Sequence, residues 1–339
     1  MDDAFRAELQ EILRAIEIVS PTSFYFAGKL FSSDDFGHSW PMSAPAQNPL
    51  VAQLNQQLYG SCYCKRFNGK LAEESFVTPS PDDNLVTELS TAHAGRERWD
   101  GGWQTHRLLP SGQIIAQKGG DTRIFWPGEF VSHEGPGMAM REGARISVYV
   151  PRESREMQPG FYFVFSETVG DQQDDYNLLR FYWHVKESGA ALLIRLITKE
   201  FNRFQLPFRF KSLANRIFYQ RSDAAVLYIN KRFYRLSVDL LSDIYYQLRE
   251  NLGENTPLFT KPLASGLGLA EEPGNGESFG QNRCRILAES LWSAYEKNLK
   301  TEEAQLQEVR SQFERNGLTI DFPFLNPNSI DEYVFPSLT

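Results

Sequence analysis

Short segments rich in β-branched and aromatic residues follow one another from about Gly112 onward, and glycine, proline and acidic residues separate them. This texture predicts an antiparallel-rich sheet and constrains the fold more than any other feature of the sequence. The predicted strands cover residues 114–117, 122–126, 146–151, 161–165, 178–185, 191–198 and 224–230.

Helical patterns flank the β-rich part of the chain. Apolar residues recur at helical spacing from Phe5 to Val19, and Asn48 followed by Pro49 predicts the capped start of a second helix that ends before Gly60. Two later helices are predicted over residues 236–252, with Ser237 as the cap, and over 281–314. We therefore expect an α+β fold in which an antiparallel-rich sheet packs with helices behind a helical N-terminal region. The predicted division is a helical accessory region over 1–110, an α+β domain over 111–317 and an extended tail over 318–339.

Composition narrows the class of protein. The 339 residues include only three cysteines, which predicts reduced thiols rather than a disulfide scaffold, and Cys62 and Cys64 lack the second ligand pair of a zinc site. No apolar run approaches the roughly 20 residues of a membrane helix, so we expect a cytoplasmic protein without membrane contact. Asp35-Phe36-Gly37 imitates a kinase motif, but the other kinase motifs are missing.

Positive charge is concentrated in the window 180–235. Twelve Lys or Arg stand there against three Asp or Glu, so the window carries about +9 in a chain of net charge −8. Because the same window is rich in apolar and aromatic residues, it indicates binding of a compact anion rather than a solvated surface. Nucleic acid is disfavoured as a partner, since the whole chain is acidic and carries no RNA-binding or zinc-finger signature.

His184 ends a predicted strand within this window. Strand alternation places Tyr182 and His184 on one face and Phe181, Trp183 and Val185 on the other. An imidazole beside cations suggests acid chemistry on a phosphorylated substrate, and the alternative is a hydrogen-bonded structural histidine.

Three more cations of the window are candidates for anion binding. Alternation puts Arg209 and Lys211 on one face, with Phe208 and Phe210 directed into the core; the alternative is a solvated strand edge. Arg221 can pair with Asp223 or bind a phosphate, and the sequence leaves both open.

The later part of the chain adds two features. Glycines in 266–273 indicate a lid or substrate-binding loop, because they do not follow a strand as in a dinucleotide site. Arg283 lies in the first turn of the last predicted helix, where backbone N–H groups favour anions; a solvent-facing arginine is the alternative.

As a set, several of these segments resemble the Hop-A-type effector family, which occurs among type III effectors and in peptide natural-product gene clusters. The resemblance spans roughly residues 160–300. That family is in turn similar to phosphothreonine lyases and to the lyase domains of lanthipeptide synthetases. The segments that carry it are 181–184, 207–211, 219–228, 257–261, 266–273 and 278–283.

The resemblance implies β-elimination of phosphate from phosphothreonine or phosphoserine, without a metal or other cofactor. By carry-over, Lys211 is the base, with a pKa lowered by burial and by Arg209 and Arg221, and His184 is the acid for the leaving phosphate. The implied phosphate ligands are Arg221, Arg283 and Arg209, and the implied substrate contacts are Tyr228, Lys261 and Tyr182. Tyr182 stands where the related lyases commonly have a lysine.

The resemblance also implies a setting. A separate kinase of the aminoglycoside-phosphotransferase type phosphorylates a precursor peptide, and this chain then forms dehydrobutyrine or dehydroalanine. One alternative is an effector lyase that acts on a phosphorylated signalling protein, and another is a phosphopeptide-binding module without catalysis.

Overall fold

The computed structural model describes residues 3–32, 48–71, 80–135 and 138–336. Asp35-Phe36-Gly37 lies outside the described residues. Within them the helices are α1 (Asp3–Ala15), α2 (Pro49–Leu58), α3 (Asp83–Ala92), α4 (Glu187–Arg203), α5 (Tyr234–Leu248), α6 (Phe279–Glu296) and α7 (Glu302–Arg315). The strands are β1 (Ile16–Ser20), β2 (Ser23–Phe26), β3 (Lys29–Ser32), β4 (Arg98–Leu108), β5 (Ile114–Lys118), β6 (Asp121–Phe125), β7 (Phe130–Ser132), β8 (Arg145–Val150), β9 (Glu153–Ser154), β10 (Phe161–Phe165), β11 (Leu178–Trp183), β12 (Arg209–Leu213), β13 (Ala225–Asn230), β14 (Lys261–Ala264) and β15 (Leu267–Glu271).

A seven-stranded antiparallel sheet forms the centre of the molecule, in the order β14-β15-β11-β13-β12-β10-β9. Helices cover both of its faces. On β11, Phe181 stacks on Tyr234 of α5, whereas the next residue, Tyr182, packs against Phe279 of α6. Because successive strand residues point to opposite faces, these two contacts define an α5 face and an α6 face of the sheet.

Two smaller antiparallel sheets complete the fold. The five-stranded sheet β6-β5-β4-β8-β7 has an apolar core of its own around Trp103 and Ile146. The three-stranded sheet β1-β2-β3 packs its apolar residues into the main core, which also includes residues of α1, α2 and α3. Helices and antiparallel sheets confirm the predicted α+β class.

The first predicted helix is too long. It ends at Ala15, and Ile16–Ser20 forms β1, which pairs with β2 so that Ile16 lies opposite Phe26. The division of the chain at residue 110 stays a prediction, although β4 before that position pairs with β5 and β8 after it.

The strand predicted over 191–198 is wrong, because these residues lie within helix α4. A short apolar run suits either a buried strand or a buried helix, and only a longer window separates them. Ala190, Leu193, Ile194, Ile197 and Phe201 are buried at helical spacing.

Helix α5 begins at Tyr234, so Ser237 is not its cap. Ser237 is completely buried, and its hydroxyl has no hydrogen-bond partner in the described part of the chain.

The last predicted helix is in fact two helices. Asn298, with a φ of +54°, lies in the break, and Thr301 caps α7 by accepting a hydrogen bond from the Ala304 N–H. Asn48 caps α2 as predicted. The glycine-rich segment 266–273, predicted to be a lid or binding loop, contains β15, which is buried inside the central sheet.

Candidate active site

The predicted base and one predicted phosphate ligand lie on the α6 face of the central sheet. β13 runs between β11 and β12, and its Tyr228 lies opposite Arg180 on one side and Arg209 on the other. Residues opposite each other in antiparallel strands share a face, so these three side chains form one row. The next row on the same face consists of Tyr182, Val226 and Lys211.

Three cations surround the ring of Tyr228. The guanidinium carbons of Arg209 and Arg180 lie 4.7 Å and 5.1 Å from its centroid, and the Lys211 Nζ lies 5.9 Å away. Lys211 also lies 4.1 Å from the ring of Phe161 on β10. The negative faces of these rings favour nearby cations, so the aromatic residues help to hold the positive charges close together.

The three cations differ in their acidic partners. Arg180 is paired bidentately with Glu272. Within the described ranges, neither Arg209 nor Lys211 forms an ion pair, and Lys211 donates from Nζ to the Oε1 of Gln158 at 3.0 Å. Lys211 is 9% exposed, whereas Arg209 is open to solvent. These two cations are therefore the part of the face that an anion can neutralise.

Arg221 pairs with Asp223, which is one of the two alternatives that the sequence left open. Its Nε and NH2 donate to the two carboxylate oxygens of Asp223, both at 2.8 Å. Burial acts to raise the pKa of Asp223, but Arg221 and Lys211 outweigh burial and hold that pKa below its ordinary value. Asp223 is therefore a buried carboxylate that offsets the charge of Arg221.

His184 continues the β11 direction beyond the end of the strand. Its N–H donates to the Gly266 carbonyl, and its own carbonyl accepts from the Gly253 N–H. The ring Nδ1 lies 3.1 Å from the Asn255 carbonyl oxygen and must donate to it, which leaves Nε2 as an acceptor. Burial lowers the pKa of the half-buried imidazole, although Asn255 and Asp223 act in the opposite direction. The imidazole is therefore neutral near pH 7.

Tyr182 lies in the interior. Its ring contacts Tyr63 edge-on and Phe279 at a tilt, and its hydroxyl accepts from Arg180 at 3.4 Å. Burial raises the pKa of Tyr182, so the phenol stays protonated. Its side chain is 2% exposed, which places it behind the cations rather than beside a substrate.

Two predicted ligands are bound by the C-terminal tail. Arg283 is 1% exposed, and its guanidinium donates to the carbonyls of Pro323 and Leu325 and to Asn282. Burial lowers the pKa of Arg283 to about 10. Lys261 donates to both carboxylate oxygens of Asp331 and to the Tyr333 carbonyl. Arg283 therefore attaches the tail to α6, and Lys261 attaches it to β14 of the sheet.

Sequence reasoning missed three contributors to this site. Arg180 lies four residues before His184, so strand alternation alone places it on the face of Tyr182. Gln158 accepts a hydrogen bond from the Lys211 ammonium, and Tyr63, in a π-helical turn (Tyr59–Tyr63) that follows α2, contacts Tyr182 edge-on. Neither had a sequence signal, because both approach from distant parts of the chain.

The donor set suits a phosphate better than a metal ion. In the portion of the chain that is described, no three His, Cys, Asp or Glu side chains cluster as metal ligands would, and Cys62, Cys64 and Cys284 are free and buried. The Lys211 ammonium and the Arg209 guanidinium lie together beside Tyr228, whereas no contact among the described residues joins His184 to either of them. Charge-assisted hydrogen bonds from Arg and Lys are the usual way in which proteins bind phosphate.

The comparison with protein families decides the assignment. A family model described as the HopA1 effector protein family matches residues 152–325. The chain belongs to the HopA1 effector protein family. The matched range includes strands β9 to β15 and every predicted site residue from Tyr182 to Arg283.

Two solved structures are similar to this HopA1-family chain. One is an effector protein from Pseudomonas syringae pv. tomato strain DC3000, with 14% identity, a TM-score of 0.48, and coverage of 96% of this chain and 100% of that one. The other is an effector protein from Pseudomonas syringae pv. syringae strain 61, with 13% identity, a TM-score of 0.43, and coverage of 80% and 89%. No curated protein matches the chain. None of the helices in the described ranges has the length and apolar character that crossing a bilayer requires.

Proposed function

We propose that this HopA1-family chain is a phosphothreonine/phosphoserine lyase that eliminates phosphate and leaves dehydrobutyrine or dehydroalanine. One observation carries the proposal: Arg209 and Lys211 lie side by side beside Tyr228, and neither has a carboxylate partner among the described residues. Two like charges on one face repel unless an anion joins them. A phosphate monoester dianion neutralises both at once.

Lys211 serves as the base. In the elimination, the Lys211 amine first releases its own proton to solvent and then takes the α-proton, the Cβ–O bond breaks, and the phosphate leaves with the electron pair of that bond. The amine is held in place for this role, because it is almost buried and lies against the rings of Phe161 and Phe163. Gln158 directs the Nζ without adding charge.

His184 serves as the acid for the departing phosphate. The free imidazole is neutral, with Nε2 as its acceptor. A phosphate dianion bound nearby raises the pKa of the imidazole, so His184 takes up a proton from solvent when the substrate binds and then gives it to the leaving oxygen. Asp223 acts on His184 in the same direction.

The phosphate clamp differs from the set that the resemblance implied. Of the three implied arginines, Arg209 is open to solvent and has no carboxylate partner among the described residues, so it makes the principal contact. Arg221 holds Asp223 in place, whereas Arg283 and Lys261 hold the tail. Tyr228 positions Arg209 through its ring.

The proposed setting is a pathway in which a separate kinase of the aminoglycoside-phosphotransferase type phosphorylates a precursor peptide. This part of the proposal rests on the family resemblance. Elimination requires a substrate that already carries phosphate on Ser or Thr, so a kinase reaction must precede this one.

A phosphopeptide-binding module without catalysis is the second candidate. The observation that favours it is the lowered pKa of His184, which leaves the proposed acid unprotonated in the free protein. Both candidates require Arg209 for binding, and only the lyase requires Lys211 for chemistry.

Mass spectrometry of a phosphothreonine peptide tests the proposal. The wild-type chain should release phosphoric acid and leave an alkene that adds thiols. Lys211→Ala should lower turnover by about 10²- to 10⁴-fold, because a base acts mainly in the transition state, whereas peptide binding should persist through Arg209. Lys199→Ala, which removes an exposed lysine of α4, is the matched control. Recovery of unmodified threonine would indicate a phosphatase. Binding without turnover would favour the non-catalytic phosphopeptide-binding module.

A further inference from the structure

A cleft of about 630 Å³ lies where the five-stranded sheet meets the ends of the central strands. One wall comes from the five-stranded sheet and the turn after it, with Ile124, Trp126 and Tyr149. The opposite wall includes Arg209 and Tyr228 of the candidate active site. The cleft therefore begins at the proposed phosphate ligand and extends away from it.

Several large apolar side chains line the cleft and remain exposed to solvent. Trp126 is 56% exposed and Met157 is 53% exposed, and Ile124 and Tyr149 are exposed beside them. Large apolar side chains grouped in a concave surface indicate a binding site, since single exposed residues would be unremarkable. Methionine adapts its shape to different apolar ligands.

Most charges around the cleft are already neutralised. Arg123 pairs with Asp175, and Asp174 pairs with Arg232. Glu129 also lines the cleft, and its carboxylate accepts the Trp126 N–H. The cleft therefore presents one cation without a carboxylate partner in the described ranges, at its boundary with the active site.

The cleft is also connected to the proposed base. Met157 lines the cleft, and the next residue, Gln158, accepts the hydrogen bond from Lys211. Tyr228 lines the cleft and contacts both Arg209 and Lys211 through its ring. A chain that lies in the cleft thus has its phosphorylated residue beside Arg209 and Lys211.

We propose that this cleft binds the peptide segment next to the phosphorylated residue and selects an apolar or aromatic side chain there. The proposal rests on the proposed function, because it assigns the phosphate to Arg209. The anion is bound at Arg209, and the neighbouring apolar side chain is buried against Trp126 and Met157. The substrate class is therefore a phosphopeptide with a large apolar residue close to the phosphothreonine or phosphoserine.

Binding of fluorescein-labelled peptides to the Lys211→Ala protein tests the site without consuming the ligand. Each peptide has a central phosphothreonine within Gly and Ser, and a single Phe is placed in turn at each position within three residues on either side. At least one Phe position should tighten binding about tenfold, since burial of a Phe side chain supplies that much affinity. Trp126→Ala and Met157→Ala should each remove most of this gain and leave the affinity for the Gly/Ser phosphopeptide unchanged.

The matched control is Tyr246→Ala, which removes an exposed aromatic ring of α5 outside the cleft and should keep the gain. The proposal is overturned if no Phe position improves binding, or if the gain survives in Trp126→Ala. Equal affinity for unphosphorylated Phe peptides would also overturn it, because the anion would then play no part. Self-association of the wild-type chain that Trp126→Ala abolishes in sedimentation would assign the cleft to a second copy instead.

Turnover by the wild-type chain separates this proposal from the lyase assignment. Elimination without any preference for a Phe neighbour would overturn the cleft proposal and leave the lyase intact. A Phe preference without elimination would support the cleft proposal and exclude the lyase. Failure to bind any phosphopeptide would overturn both.

Discussion

Arg209 and Arg221 are both arginines of the basic window, yet their guanidinium groups have different environments. Arg209 is exposed and rests on the ring of Tyr228, whereas Arg221 forms a bidentate pair with the buried Asp223. The Arg209 guanidinium, for which the described ranges contain no carboxylate partner, is the one available to a substrate. The paired guanidinium stabilises the fold, because Asp223 is buried and ionised.

Replacing Arg221 with Ala should lower the free energy of unfolding by about 3–5 kcal/mol, because it leaves the Asp223 carboxylate buried without its partner. Urea denaturation measures the loss. Arg195→Ala, which removes an exposed arginine of α4, should have almost no effect. The double variant Arg221→Ala/Asp223→Ala should recover part of the stability. A double variant no more stable than Arg221→Ala would contradict the explanation.

His184 should make stability depend on pH. Burial places its folded pKa below the unfolded value of about 6.5, so the unfolded chain binds more protons between the two values. The neutral imidazole of His184 makes its full contribution to the free energy of unfolding above about pH 6.5, and this contribution is lost as the pH falls through the folded pKa. In His184→Asn, the free energy of unfolding should therefore change less between pH 8 and pH 5. The exposed His106→Asn is the control. Identical pH profiles for His184→Asn and wild type would refute this expectation.

At the scale of elements, close backbone approach positions the imidazole. A Cβ at Gly253 would lie 2.4 Å from the His184 Cε1, so the glycine leaves the space that the ring occupies. The Gly253 N–H also donates to the His184 carbonyl. The segment after α5 therefore determines where the imidazole lies.

Gly253→Ala should displace the imidazole and reduce lyase turnover towards that of His184→Ala, at a stability cost of about 1–3 kcal/mol. The NMR signals of the His184 ring report the displacement independently of turnover. Gly101→Ala in β4 is the matched control, since its added Cβ would meet no atom closer than the Ser147 Oγ at 3.4 Å. Unchanged ring signals in Gly253→Ala would show that the backbone moves instead.

The sequence predicted which residues of a strand share a face, but it did not predict which residues of neighbouring strands lie opposite each other. Phe208 and Phe210 are buried and Arg209 shares a face with Lys211, as the residue pattern predicted. The solvated-edge alternative fails because β12 lies between β13 and β10, inside the sheet. Arg180 escaped notice because its relation to Tyr228 depends on the register of β11 against β13. Register depends on the whole sheet.

At the scale of the whole molecule, the described residues form two apolar cores. The larger extends from Leu9 in α1 to Tyr333 in the tail, and the smaller lies in the five-stranded sheet around Trp103 and Ile146. The candidate active site belongs to the larger core, and the cleft lies where the two sheets meet. Separate cores allow the five-stranded sheet to loosen without loss of the active site.

Ile146→Ala should destabilise the five-stranded sheet by about 2–5 kcal/mol, because it leaves a cavity beside Trp103. Hydrogen exchange followed by mass spectrometry should then show faster exchange in β4, β5 and β8 than in β11 and β13. Leu227→Ala, in the larger core, should give the opposite pattern. Equal acceleration throughout the chain would mean that the two cores unfold together.

The sequence by itself determined the α+β class, the alternation on β11 and β12 and the concentration of cations between Arg180 and Arg235, because these depend on residues that are neighbours along the chain. Only the tertiary structure decided which cations are open to an anion. Asp223, Asp331 and the carbonyls of Pro323 and Leu325 engage Arg221, Lys261 and Arg283 respectively. Lys261 and Arg283 lie far in sequence from the tail residues that they contact. Arg221 and Asp223 are close in sequence, but only the structure shows that Asp223 is buried and paired with Arg221. The pattern of neighbouring residues therefore could not show which cations are paired inside the protein and which cation is open to a ligand.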